Sequence, residues 1–167
     1  VCCTSGNAEK IVREAFKSDE EIIFAPDQYL AHYVSKKVGR EFIKWRGFCP
    51  IHLKILPSDI EKQRRLHPGV EILVHPECRA EVTDIADKVF STEGMIRHVR
   101  ESKGREFVIG TETGILHRLK KENADKIFYP LCEKAVCPDM KRTTLDKVLW
   151  SLEDIKDEVT VPKDIMI

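Results

Sequence analysis

Val70-Glu71-Ile72-Leu73-Val74-His75-Pro76-Glu77-Cys78 is the stretch on which the fold turns. Its first five residues read as a strand, and its polar end reads as the turn that leaves the strand's carboxyl edge. Ligands of open α/β sheets bind at that edge, so His75 and Glu77 are candidate site residues, and Pro76 stiffens the turn that presents them. Outward from this stretch, short β-rich runs alternate with helical stretches of roughly ten residues, the pattern of βα units in a parallel sheet. Strands are expected at Glu21 to Ala25, Glu41 to Lys44, Val70 to Val74, Lys88 to Phe90, Arg105 to Ile109, Lys126 to Tyr129 and Glu158 to Val161. Helices are expected after Gly6, Asp27, Pro57, Cys78, Gly94, Thr113 and Thr143, each opened by a small or polar residue.

The βα pattern repeats. Cys3-Thr4-Ser5-Gly6-Asn7, an amphipathic helix and Glu21-Ile22-Ile23-Phe24 lie over Phe90-Ser91-Thr92-Glu93-Gly94, its helix and Glu106-Phe107-Val108-Ile109. The junction recurs a third time as Gly110-Thr111-Glu112-Thr113-Gly114. Ser, Thr and Gly are favoured at βα junctions generally, so both duplication and coincidence stay open. Two small αβα layers are expected, at 1–50 and 51–135, with a C-terminal segment at 136–167.

Composition narrows the function classes. The 167 residues are 42% hydrophobic and 34% charged, with 28 basic and 28 acidic side chains. Zero formal charge argues against nucleic acid as a partner. No apolar run is long enough for a membrane span or a secretory signal, so a cytoplasmic protein is expected. Six cysteines in such a chain read as reduced, metal-bound or buried rather than as disulfides. The chain begins at Val1 inside what reads as the end of a strand, which suggests residues upstream of it.

Several residues are candidates for chemistry. Cys49 and Cys137 sit in similar phrases, Gly47-Phe48-Cys49-Pro50 and Ala135-Val136-Cys137-Pro138, and a cysteine followed by proline recurs at iron-sulfur ligands. Such distant cysteines fit a cluster at a domain junction, while buried free cysteine is the plainer reading. His52, three residues after Cys49, would line the same cavity. Ser5 and Thr92 stand where a strand gives way to a helix, so they either cap the helix or hold a phosphate or carboxylate at its N-terminus. Glu77 beside His75 suits proton transfer provided burial raises its pKa, or it merely opens a helix. Cys78 reads as the first buried turn of that helix, and Cys132 has no assignment. Two rivals remain at this point: a cluster-free α/β module that binds a phosphorylated metabolite, and a zinc domain using Cys132, Cys137, Cys78 and His75.

The series Cys3-Thr4-Ser5-Gly6-Asn7-Ala8, Phe24-Ala25-Pro26-Asp27-Gln28-Tyr29-Leu30, Gly47-Phe48-Cys49-Pro50-Ile51-His52, His75-Pro76-Glu77-Cys78, Phe90-Ser91-Thr92-Glu93-Gly94, Gly110-Thr111-Glu112-Thr113-Gly114-Ile115-Leu116-His117-Arg118-Leu119 and Val136-Cys137-Pro138-Asp139-Met140 resembles the quinolinate synthase family of NAD biosynthesis, in order from end to end. The resemblance implies three αβα domains in a pseudo-threefold arrangement, of which this chain carries the second and third and lacks the first. It implies a 4Fe-4S cluster held by one cysteine from each domain: Cys49 and Cys137 match two ligands, the third belongs to the missing domain, and Cys78 matches none. In that family iminoaspartate and dihydroxyacetone phosphate condense to quinolinate, phosphate and water, with L-aspartate oxidase or dehydrogenase as the functional partner that supplies iminoaspartate. Ser5, His52, His75, Glu77 and Thr92 match substrate-site positions, Glu77 as the acid-base residue. The same comparison implies that these 167 residues alone neither hold a stable cluster nor turn over.

Overall fold

A computed structural model describes residues 1–18, 21–155 and 158–166, in two compact units, Val1–Val136 and Cys137–Ile167. The first unit runs α1 (Ala8–Ala15), β1 (Ile23–Phe24), α2 (Gln28–Val38), β2 (Ile43–Lys44), a 3₁₀ turn at His52–Lys54, α3 (Pro57–Leu66), β3 (Glu71–Val74), α4 (Ala80–Ile85), β4 (Lys88–Val89), α5 (Thr92–Glu101), β5 (Glu106–Gly110), α6 (Ile115–Glu122) and β6 (Ile127–Pro130). All strand pairs are parallel, in a two-stranded sheet β1-β2 and a four-stranded sheet β4-β3-β5-β6. The chain is therefore an α/β protein with small parallel sheets, and each parallel neighbour is reached through a helical crossover.

The four-stranded sheet is buried on both faces. Ile72, Leu73 and Val74 of β3 and Phe107 and Val108 of β5 have no exposure. Leu73, Phe107 and Ile109 pack with Met95, Ile96 and Val99 of α5, Leu119 of α6 and Phe128 of β6. Neighbouring residues of a strand point to opposite faces, so Ile72, Val74 and Val108 face the other layer. The remaining helices there, α3 and α4, contact one another and bury Ile60 and Val82. Strands covered this way read as continuous apolar runs, which is why Val70 to Val74 is legible in the sequence. Gly110 ends β5 because its strand is squeezed there: a Cβ would lie 2.8 Å from both Val74 Cγ1 and Leu131 Cδ2.

The two-stranded sheet carries both its helices in one core. Ala8 and Val12 of α1, Leu30, Ala31 and Val34 of α2, Phe24 and Phe42 form a single cluster. The other face of this sheet leaves Ile23 and Ile43 exposed.

Three expectations shift. The helix expected after Gly94 begins at Thr92, because Ser91 is the cap: its Oγ accepts from Gly94 N at 3.2 Å. Val1 to Thr4 lie in no strand. Glu158 to Val161 lie in no strand either and are exposed, since an alternating β-prone run makes a strand only against a neighbouring edge. In the second unit, a 3₁₀ turn at Met140–Arg142 precedes α7 (Leu145–Asp154), capped by Thr144, whose Oγ1 accepts from Lys147 N at 3.4 Å. Among the described residues no helix is long and apolar enough to cross a membrane.

Candidate metal and substrate site

Cys49, His52, His75 and Glu77 gather beside the carboxyl end of β3, and the loop that carries Cys49 is fixed first. Gln28 N donates to Gly47 O at 2.8 Å, and a Cβ on Gly47 would fall 2.3 Å from Pro26 O, so only glycine lets the loop lie so close to the start of α2. Asp27 ties both together. Its Oδ1 accepts from Tyr29 N and Leu30 N, at 2.9 and 2.8 Å, as the cap of α2, while its Oδ2 accepts from Cys49 N at 2.9 Å. Burial raises the Asp27 pKa, the amide of Leu30 opposes that, and the nearby charge of Glu77 adds to the rise.

Cys49 then faces two residues that the chain brings from elsewhere. Its sulfur, a ring nitrogen of His52 and a carboxylate oxygen of Glu77 all lie within 4.8 Å of one another. His52 sits in the 3₁₀ turn that follows the cysteine; its Nε2 is 2.8 Å from Thr111 Oγ1, at the end of β5. Its Nδ1 is 3.0 Å from Glu77 Oε2, close enough for charge pairing but poorly directed, and this buried nitrogen has no hydrogen-bond partner.

His75 stacks on His52, ring centroids 4.4 Å apart. Glu77 N donates to His75 Nδ1 at 3.3 Å, which makes that nitrogen the acceptor and puts the proton of the neutral ring on Nε2, 3.2 Å from Ser5 Oγ. Burial, with the His52 charge beside it, pushes the His75 pKa down to about 4, so the ring is neutral near pH 7. Glu77 departs from the upward shift that acid-base duty was expected to need. Burial does raise its pKa, but the adjoining His52 imidazole, 3.0 Å away, and the charge of His75 outweigh it, and the carboxyl is held below its ordinary value. Glu77 is therefore ionised near pH 7, free to accept a proton but a weaker base than an ordinary carboxylate.

A consequence for stability follows from His75. Its folded pKa lies below the unfolded value of 6.5, so the contribution is whole above pH 6.5 and is lost as pH falls toward about 4, where the unfolded chain takes up a proton that the folded ring refuses. The loss amounts to about 3 kcal/mol at most. Denaturant melts at pH 7 and pH 5 should show a shallower fall for His75→Gln than for the parent; equal falls would contradict it.

Ser5 joins this group through His75. The turn at Gly6 abuts α5, since a Cβ on Gly6 would lie 3.3 Å from Ser91 Oγ, so the starts of α1 and α5 are neighbours. Neither expected hydroxyl is a cap: Asn7 precedes α1, and Thr92 is the exposed first residue of α5 behind the capping Ser91. Cys137 opens the second compact unit, where its carbonyl accepts from Lys141 N at 3.3 Å. Cys78 is 1% exposed, its thiol donates to Gly110 O at 3.7 Å, and burial pushes its pKa up to about 12, the setting of a buried, protonated thiol. Cys132 Sγ points to Lys54 O at 3.8 Å. Two contributors were not singled out from the sequence, Asp27 and Thr111. The signal for Asp27 is its place in the capping position, and that for Thr111 its place at a strand end in the third junction copy.

A family model described as NadA, quinolinate synthetase A protein, matches residues 1–167. The chain belongs to that family. Within the quinolinate synthetase A family it is 46% identical over 167 residues to a quinolinate synthase of Dehalococcoides mccartyi, covering 100% of this chain and 55% of the relative. It is 48% identical over 167 residues to that of Thermodesulfovibrio yellowstonii, covering 99% and 54%, and 46% identical over 165 residues to that of Methanoregula boonei, covering 99% and 54%. The chain thus spans about half the length of the curated relatives it matches. Membership of the quinolinate synthetase A family gives the cluster of Cys49, His52, His75 and Glu77 a chemical context.

Proposed function

We propose that this chain carries the catalytic groups of a quinolinate synthase that condenses iminoaspartate with dihydroxyacetone phosphate to give quinolinate, phosphate and two waters. The observation that carries the reading is the convergence of Cys49, His52 and Glu77 donor atoms within 4.8 Å, in a chain matched by the family model over residues 1–167. The donor chemistry fits a 4Fe-4S cluster: a loop cysteine offers a thiolate beside a buried, unpartnered imidazole nitrogen. Cys49 and Cys137 would hold it, with a third thiolate from outside these residues. When bound, the cluster supplies a Lewis acid that eases loss of water.

The chain's own residues do the rest. Glu77, as a carboxylate, takes protons from carbon during isomerisation and ring closure and returns them to leaving oxygen. His75 keeps its Nε2 proton directed toward Ser5, so the pair presents a polarised hydroxyl to a substrate carboxylate or phosphate. Ser5 and Thr92, beside the starts of α1 and α5, suit the phosphate of the three-carbon substrate. His52 contacts a carboxylate of the product. In this reading the two sheets are two of three αβα domains about a pseudo-threefold axis, divided at 50/51, with 136–167 packing toward the first. The enzyme works in the cytoplasm, beside an L-aspartate oxidase or dehydrogenase that supplies iminoaspartate.

Anaerobic purification of the full reading frame that encodes this segment, beside the 167-residue chain, tests it through colour, iron and sulfide. The longer protein should be brown, bleach in oxygen and hold about one cluster per chain, and the shorter should hold none. Absence of iron from both would overturn the reading.

A further inference from the structure

We propose that Cys49, His52 and Glu77 form a site for a single divalent ion of the zinc class, which the chain takes up when no cluster is bound. One sulfur, one nitrogen and one oxygen donor within 4.8 Å of one another make a mixed set suited to Zn²⁺ and unsuited to Mg²⁺ or Ca²⁺, which take oxygen. Zinc bonds of about 2.0 to 2.3 Å require the donors to approach one another closely, and His52 Nδ1 and Glu77 Oε2 already lie 3.0 Å apart. The Cys49 sulfur lies within 4.8 Å of both, on a backbone held by Asp27.

The second, independent observation is the imidazole. The His52 side chain is only 9% exposed, its Nδ1 has no hydrogen-bond partner, and it is aimed into this group. Metal on Nδ1 leaves the proton on Nε2, which then donates to Thr111 Oγ1, 2.8 Å away. Metal-bound histidines orient themselves through such a bond on the far nitrogen. Glu77 is 24% exposed, which gives the ion a route from solvent, and the fourth position stays open to water. Binding sends the Cys49 thiol proton to solvent.

The site shares only Cys49 with the proposed cluster, so it does not need that cluster to exist. A zinc ion here would occupy a thiolate that cluster assembly requires.

The test is an anaerobic titration of the metal-free chain with Co²⁺, the coloured stand-in for Zn²⁺. We expect saturation at one ion per chain, a thiolate-to-cobalt band in the near ultraviolet, the strong visible absorption of a four-coordinate site, and loss of both on adding Zn²⁺. Cys49→Ser should lose the thiolate band, Thr111→Val should weaken binding about tenfold or more, and Cys132→Ser should leave it unchanged. On the unaltered chain, Zn²⁺ should protect Cys49 from iodoacetamide while exposed Cys2 still reacts, read by mass spectrometry. This arm decides the matter if Cys49→Ser does not fold. A thiolate band that survives Cys49→Ser, or alkylation of Cys49 at the same rate with and without Zn²⁺, would overturn the site. Iron and sulfide in the full reading frame are measured separately, so the cluster and the zinc site can fail independently.

Discussion

On the proposed reading, replacing Cys49 with serine in the full-length protein is expected to remove the iron-sulfur cluster and bring quinolinate formation to background, with little change in the fold. The asymmetry has a structural reason. The loop is held by the backbone N–H of Cys49 on Asp27, at 2.9 Å, and by Gly47 against Pro26, and neither contact uses the thiol. Serine keeps both and offers a hydroxyl that is a poor ligand for iron. Iron and sulfide content should fall to the level of an empty protein, while the loss of one half-buried sulfur costs about 1 kcal/mol in a denaturant melt. Full iron and full turnover in the variant would remove Cys49 from the cluster and the cluster from the mechanism.

Glu77→Gln should have the opposite profile: cluster retained, rate lost. The amide has the carboxylate's shape and can still lie against His52, but it cannot take a proton. Loss of a positioned base lowers kcat by about 10² to 10⁴-fold. The two histidines hold Glu77 below its ordinary pKa, so it is ionised through the neutral range and the parent should lose activity only as pH falls through that lowered value. The acid limb should vanish from the pH profile of the variant. A kcat within about threefold of the parent, with the acid limb intact, would assign the proton transfers elsewhere.

The fold was legible where burial and punctuation agree. Ile72 to Val74 is apolar because β3 is covered on both faces, and Asp27 opens α2 at the residue the capping pattern marks. The C-terminal run Glu158 to Val161 has the same local β-preference and forms no strand, because an extended run needs an edge to pair with, and pairing is a property of tertiary contact. The start of α5 differs for a smaller reason: Ser91 and Thr92 are both good caps, and the position of Gly94 places the expected helix three residues late.

Site residues follow the same division. His75 and Glu77 announce themselves at the end of a strand, and Cys49 by its glycine and proline neighbours. What no spacing reveals is that His52 meets Glu77, since the two reach each other only through the packing of the Cys49 loop against the end of β3. Burial of Glu77 was foreseeable, but the direction of its pKa was not, because that depends on two imidazoles stacked 4.4 Å apart beside it. Thr111 could be read as a strand-end hydroxyl, yet its partner His52 lies 59 positions away.

Asp27 has one further consequence, for how this region opens. A single carboxylate accepts from the amides of Tyr29, Leu30 and Cys49, so it cannot release the first turn of α2 without slackening the loop that carries the sulfur. These three amides belong to one cooperative unit and should exchange their hydrogens with solvent at a common free energy of opening. The Cys49 thiol is thereby as steady as the first turn of a helix, although it stands on a loop.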